Sequence, residues 1–177
     1  PTLATTGNLN NHIGVPLTLL RLNEEHRIAI IEMGANHVGD IADLVNIAEP
    51  THGMITNIGR AHLEGFGSYE GVVKAKTEMY DFLRSHGGTL FVNGDDPLLM
   101  SRSEGVARVT YGTSAQNDTQ GAAQSTDSPF LHVAFRIKDA QGDLSIATHL
   151  IGDYNAPNVL CAICIGRYFG VDEEVIA

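Results

Sequence analysis

The sequence predicts an α/β protein on a doubly wound, mostly parallel sheet, with an antiparallel hairpin added late in the chain. Three observations predict this. Apolar runs of strand length alternate with stretches of helical period through Tyr111. The junctions between them hold the caps and turn formers that such alternation needs. After Pro129 the pattern changes to two short alternating segments around a turn, which reads as a hairpin.

The chain opens on a strand-like Thr2-Leu-Ala-Thr5. The next stretch, T-G-N-L-N-N-H-I-G-V-P from Thr6 to Pro16, is dense in turn formers and amides. Its asparagines read either as plain turn chemistry or as a hydrogen-bonding surface for a polar substrate. Pro16 suits the first turn of a helix carrying Leu17, Leu19, Leu20 and Leu22. Arg27 to Ile31 is a continuous apolar run, expected to be a strand buried on both faces. It ends in Glu32-Met-Gly-Ala-Asn-His37. A carboxylate at a strand end, followed by glycine, is where nucleotide enzymes hold Mg²⁺; a local cap or ion pair is the alternative. Asp40 is expected to cap a helix from Ile41 to Glu49, stopped by Pro50.

A second apolar run, His52 to Thr56, leads to Asn57 and His62 just past its end. Ligands of parallel α/β sheets collect outside such strand ends. The helix that follows begins near Ser68 and carries two lysines. At roughly 100° per residue, Val72, Met79, Tyr80 and Leu83 share one apolar face. Lys76 falls within that face and Lys74 on the opposite side, with Glu78 and Asp81. A lysine on an apolar stripe reads first as one that snorkels its ammonium to the rim.

Gly87-Gly88 ends this helix, and Thr89 to Asn93 forms a third strand. Asp95-Asp96-Pro97 opens a short helix; capping is the expected task of these carboxylates, with metal binding the alternative. Val106 to Tyr111 is a fourth strand. Residues 113–129, rich in Ser, Thr, Gln, Gly and Ala, are expected to be a flexible loop. Residues 130–150 form the hairpin. Asn155 and Pro157 then start a helix through Tyr168, closed by Gly170, and Asp172 starts another.

Composition narrows the function classes. With 177 residues and 43% hydrophobic content, one globular domain is expected. A net charge of −10 argues against nucleic acid as a partner. No stretch has the length of a membrane-spanning helix, so no membrane insertion is expected. Cys161 and Cys164 form a C-x-x-C, a pattern compatible with redox or zinc chemistry. They lie inside V-L-C-A-I-C-I, however, which reads as a buried helix with cysteines as small hydrophobes. A reducing, cytoplasmic setting follows.

Taken together, G-N-L-N-N-H-I-G-V-P (Gly7 to Pro16), E-M-G-A-N-H (Glu32 to His37), N-I-G-R-A-H-L-E-G-F-G-S (Asn57 to Ser68), V-K-A-K-T-E and G-D-Y-N-A-P-N resemble the Mur ligase family. The G-N-L-N-N loop points to the branch that joins D-alanyl-D-alanine to UDP-N-acetylmuramoyl tripeptide. The resemblance covers essentially the whole chain. It implies that residues 1–177 are part of a central, P-loop NTPase-like ATP-binding domain of a monomeric, cytoplasmic ligase.

The resemblance also implies roles. Glu32 would bind Mg²⁺ beside the ATP phosphates, and His62 a second Mg²⁺. Lys76 would carry a carbamate bridging to that metal, which turns the snorkelling reading of this lysine around. Asn155 would contact adenine; Asn57 and Asn158 would lie near the nucleotide. Asn8, Asn10 and Asn11 would lie near the substrate. The family's G-x-x-G-K-[ST] loop does not occur in the sequence, so the chain is expected to be inactive by itself. Arg60 and Thr77 stand where the family more often has small residues. The competing readings are a sister ligase, such as a folylpolyglutamate synthetase, and a non-catalytic module binding a nucleotide or a partner.

Overall fold

The computed structural model describes residues 1–59, 63–138 and 142–176. They fall into two compact units. The first comprises residues 1–53 and 57–88, the second residues 54–56 and 89–177.

In the first unit, β1 (Thr2–Ala4) pairs in parallel with β2 (Ile28–Ile30). Helices α1 (Gly14–Leu19), α2 (Asp40–Ala48), α3 (Leu63–Phe66) and α4 (Tyr69–His86) complete it. The core joins Val15 of α1 to Ile41, Leu44 and Val45 of α2, with Met79 and Phe82 of α4 packed against them. This is the apolar stripe expected of amphipathic helices. The expectation of a strand buried on both faces is corrected for β2. It belongs to a two-stranded sheet with one face uncovered by described residues, and Ile30 is 58% exposed.

Helix α4 has both of its ends specified. Ser68 accepts a hydrogen bond from the Gly71 N–H, and Gly87 stops the helix in the left-handed region at φ 68°. Helix α2 differs from expectation. Its N-cap is Gly39, at φ 102°, and the Asp40 carboxylate instead reaches back to the N–H groups of Asn36 and His37.

The second unit is a mixed sheet in the order β3-β4-β5-β6-β7-β8, entered by the Met54 end of β3 (His52–Met54). Strands β4 (Thr89–Asn93), β5 (Ala107–Gly112) and β6 (Thr119–Gln124) run parallel. Strands β7 (His132–Ile137) and β8 (Leu144–Ala147) continue the sheet antiparallel. Between β4 and β5, α5 (Pro97–Arg102) is capped by Asp96, while Asp95 accepts from the Thr113 N–H. Both aspartates thus have structural tasks. Helix α6 (Ala156–Tyr168) packs on the sheet through Val159, Leu160, Cys161 and Cys164; α7 (Glu173–Ile176) follows.

Strand β6 corrects the expectation of a flexible loop over residues 113–129. In T-Q-G-A-A-Q the crowded position is Gly121, whereas Ala122 and Gln124 are exposed. A Cβ on Gly121 would lie 2.5 Å from both the Leu160 side chain and the Ala134 carbonyl. The strand is held by its neighbours on either side rather than by its own side chains. No helix among the described residues is long and apolar enough to cross a membrane.

Candidate active site

Glu32 stands just beyond the end of β2, and the surrounding chain fixes both its backbone and its carboxylate. Its N–H donates to the Thr5 hydroxyl at 2.9 Å, and the Thr5 N–H donates to the Ile30 carbonyl at 3.0 Å. The Asn10 side-chain amide donates to Glu32 Oε1 at 2.7 Å, while the Asn10 carbonyl accepts from the Gly34 N–H, also at 2.7 Å. Asn10 therefore holds the E-M-G turn by side chain and backbone together. Glycine at 34 makes this possible, since a Cβ there would lie only 3.0 Å from the Asn10 amide.

The other two asparagines of the loop stand differently. Asn11 Oδ1 accepts from the N–H groups of Ile13 (3.0 Å) and Gly14 (2.9 Å), shaping the entry to α1. Asn8 is exposed, and its carbonyl accepts from the Asn10 N–H.

Lys76 is half-buried on α4, whereas Lys74 is exposed. The Lys76 ammonium donates to the backbone carbonyl of Asn57 at 2.8 Å. Asn57 thus meets the lysine through its main chain, leaving its side chain exposed. Burial lowers the Lys76 pKa from the ordinary lysine value, because low-dielectric surroundings disfavour the charged amine. His62 lies outside the described residues.

In the second unit, Gly152 (φ 90°) leads into a 3₁₀ turn, Asp153–Asn155, that runs directly into α6. The half-buried Asn155 side chain donates to the Ile151 carbonyl at 3.0 Å. Its Oδ1 accepts a long bond, 3.5 Å, from the exposed Asn158 amide. Asn155 occupies the N-cap position of α6, as the local pattern predicted, but its side chain makes no capping bond to the helix. The two asparagines sit side by side one turn apart, with donor and acceptor groups at the surface.

Among the described residues, no three His, Cys, Asp or Glu side chains converge as a metal site. The donor chemistry still fits a magnesium ion. Mg²⁺ takes oxygen ligands, retains waters and is commonly held by one or two carboxylates plus substrate phosphates. Glu32 offers an exposed carboxylate whose Oε1 is oriented by Asn10 and whose Oε2 makes no bond among the described residues.

Two groups were missed by sequence reasoning. One is Thr5, read only as strand. The other is Glu78, placed on the solvent side of α4 but accepting from the N–H groups of Gly39 (2.7 Å) and Ala42 (3.0 Å). Helical phase located neither bond, because both partners are remote in sequence. The sequence carried no local signal for either, since Asp40 already reads as the cap of α2 and only the structure shows Gly39 at that position.

With this geometry in place, comparison with known proteins defines the class. The Mur ligase middle domain matches residues 1–166, and the chain belongs to that family. The UDP-N-acetylmuramoyl-tripeptide–D-alanyl-D-alanine ligase of Bacillus subtilis is 39% identical over 170 residues, 96% of this chain. The chain spans 36% of that relative's length. A crystal structure of MurF from Acinetobacter baumannii superposes with a TM-score of 0.86 at 30% identity, covering 99% of this chain and 38% of that one. MurF from Thermotoga maritima, solved in complex with ADP, gives 0.81 at 25% identity, with 97% and 40% covered.

Proposed function

We propose that this chain is the nucleotide-handling middle part of a cytoplasmic ligase that adds D-alanyl-D-alanine to UDP-N-acetylmuramoyl tripeptide at the expense of ATP. The observation that carries the reading is the Glu32 carboxylate held by Asn10 at a strand end, in a chain whose relatives bear that activity in their names. ADP in the Thermotoga maritima relative supports ATP as the nucleotide.

The chemistry has two displacements. A carboxylate oxygen of the tripeptide attacks the γ-phosphorus, and the bond to the β,γ-bridging oxygen breaks with its electron pair leaving on ADP. The amine of D-alanyl-D-alanine then attacks the acyl carbon, phosphate departs with the acyl C–O pair, and the nitrogen loses a proton. Such reactions depend mainly on positioning and charge neutralisation. Mg²⁺, when bound, supplies that neutralisation at the phosphate oxygens.

The chain's own residues have the following parts. Glu32 holds the ion beside the phosphates, and Asn10 holds Glu32. His62 is assigned to a second ion. Lys76 carries a carbamate: CO₂ adds only to a neutral amine, and burial favours the neutral form. A carbamate nitrogen would keep one N–H, a donor of the kind that the Asn57 carbonyl now accepts from the amine. Asn155 and Asn158 present an amide pair to the adenine, with Asn57 near the nucleotide. Asn8 faces the tripeptide, and Asn11 shapes the loop that presents it.

An isotope experiment in the full-length protein tests the route. Tripeptide labelled with ¹⁸O in its terminal carboxylate should deliver one labelled oxygen to the released phosphate. Phosphate without label would rule out the acyl phosphate.

A further inference from the structure

Helix α2 begins with Gly39 at φ 102° and has no side-chain cap of its own. Its first N–H groups would otherwise lack partners. Asp40 is turned backward onto the N–H groups of Asn36 and His37, at 2.8 and 2.9 Å. The missing partner comes from α4. Glu78 Oε1 accepts from the Gly39 N–H at 2.7 Å, and Oε2 accepts from the Ala42 N–H at 3.0 Å. One carboxylate with both oxygens used thus spans from one helix to the start of another.

The segment tied down in this way runs from Glu32 to Gly39. Its near end is held by Asn10, through Glu32 Oε1 and the Gly34 N–H. Its far end is held by Glu78. The same helix carries Lys76 two residues earlier, bonded to the Asn57 carbonyl. Positions two apart on a helix point about 200° from each other. α4 therefore binds the Asn57 segment with one side and the start of α2 with the other.

Folding does not need this bond to bring the helices together, since Leu44 and Val45 already pack with Met79 and Phe82. Apolar contact is non-directional. Two short hydrogen bonds to one carboxylate fix rotation and axial register, which apolar packing leaves loose.

We propose that Glu78 is a positioning residue of the ligase site, setting the spacing between the Glu32 segment and the helix that carries Lys76. The inference rests on the function proposed above. A partner that orients a metal ligand without touching the metal typically changes metal affinity or activity by about 10–100-fold when removed. Glu78 acts one step further away, so the lower end applies.

The experiment uses Glu78→Ala and Glu78→Gln in the full-length protein, with Glu32→Gln in parallel. In Glu78→Ala, the Mg²⁺ concentration for half-maximal turnover should rise about 10-fold. Glu78→Gln, which keeps one acceptor oxygen, should fall between it and the unmodified protein. The KM for D-alanyl-D-alanine should stay unchanged. Hydrogen exchange should accelerate at the Gly39 and Ala42 amides while Leu44 and Val45 stay protected.

Accelerated exchange with an unaltered Mg²⁺ requirement in both variants would make Glu78 a helix cap only and overturn the proposal. Should Glu78→Ala fail to fold, Glu78→Gln decides by the same readings. A Glu32→Gln variant with normal Mg²⁺ dependence would refute the site itself. A shift in Glu32→Gln with none in the Glu78 variants refutes only the role of Glu78.

Discussion

The side-chain amide of Asn10 donates a 2.7 Å hydrogen bond to Glu32 across 22 positions of sequence. It joins two motifs that sequence reading treated separately, one assigned to substrate and the other to metal. Removing this donor frees the carboxylate to rotate. Asn10→Ala in the full-length protein should cut turnover about 10–100-fold, with little loss of thermal stability because the bond is at the surface. Gly34→Ala should move activity in the same direction, since its Cβ would press on the Asn10 amide. Unchanged turnover in both variants would remove Asn10 from the site.

Lys76 and Lys74 differ in environment although they are two residues apart. The depressed pKa of Lys76 gives the folded protein more neutral amine than an exposed lysine has at the same pH. The sign for stability follows. Between the folded pKa and the ordinary lysine value the unfolded chain binds more protons, so stability rises with pH across that window. Below it, the full cost of the buried charge is felt. Incubation with ¹³C-bicarbonate should give a carbamate signal that grows with pH, persists in Lys74→Ala and vanishes in Lys76→Ala. A signal lost in Lys74→Ala instead would reverse the assignment.

The C-x-x-C is a feature of packing. Burial pushes the Cys161 thiol up to about 11 and the Cys164 thiol up to about 12, and both belong to the core between α6 and the sheet. Thiolate is the reactive form. Iodoacetamide at pH 8 should leave both cysteines unmodified in the folded chain and alkylate both in denaturant. Rapid labelling of folded protein would contradict this.

Gly121 is a close-packed point where β6 meets α6 and β7. An added methyl meets a carbonyl oxygen and a leucine side chain at 2.5 Å. Gly121→Ala should destabilise the fold by about 1–3 kcal/mol, read as a lower melting temperature. A variant as stable as the parent would mean that the strand can shift without cost.

The sequence made some levels of this structure legible and concealed others. Helix α4 was readable to within a residue because Ser68, Gly87 and the apolar stripe all agree. Lys76 on the inward side followed from phase alone. Strand β6 was concealed because it has no large apolar residues, and its Gly121 answers to Leu160, which lies 39 positions away, not to any local pattern. The burial of β2 was overestimated because an apolar run records what a strand can tolerate, not what covers it. The motifs named candidates such as Glu32, Asn10 and Lys76 but not the bonds among segments, since Asn10 with Glu32 and Glu78 with Gly39 are contacts of remote stretches.

The most direct measurement is phosphate release by the full-length protein given ATP, Mg²⁺, UDP-N-acetylmuramoyl tripeptide and D-alanyl-D-alanine, with each component omitted in turn. Release should require all four, and Glu32→Gln should lower it at least 10-fold at moderate Mg²⁺ without unfolding the protein. Release that continues without D-alanyl-D-alanine or the tripeptide, or a Glu32→Gln protein with normal rates, would contradict the proposed ligase.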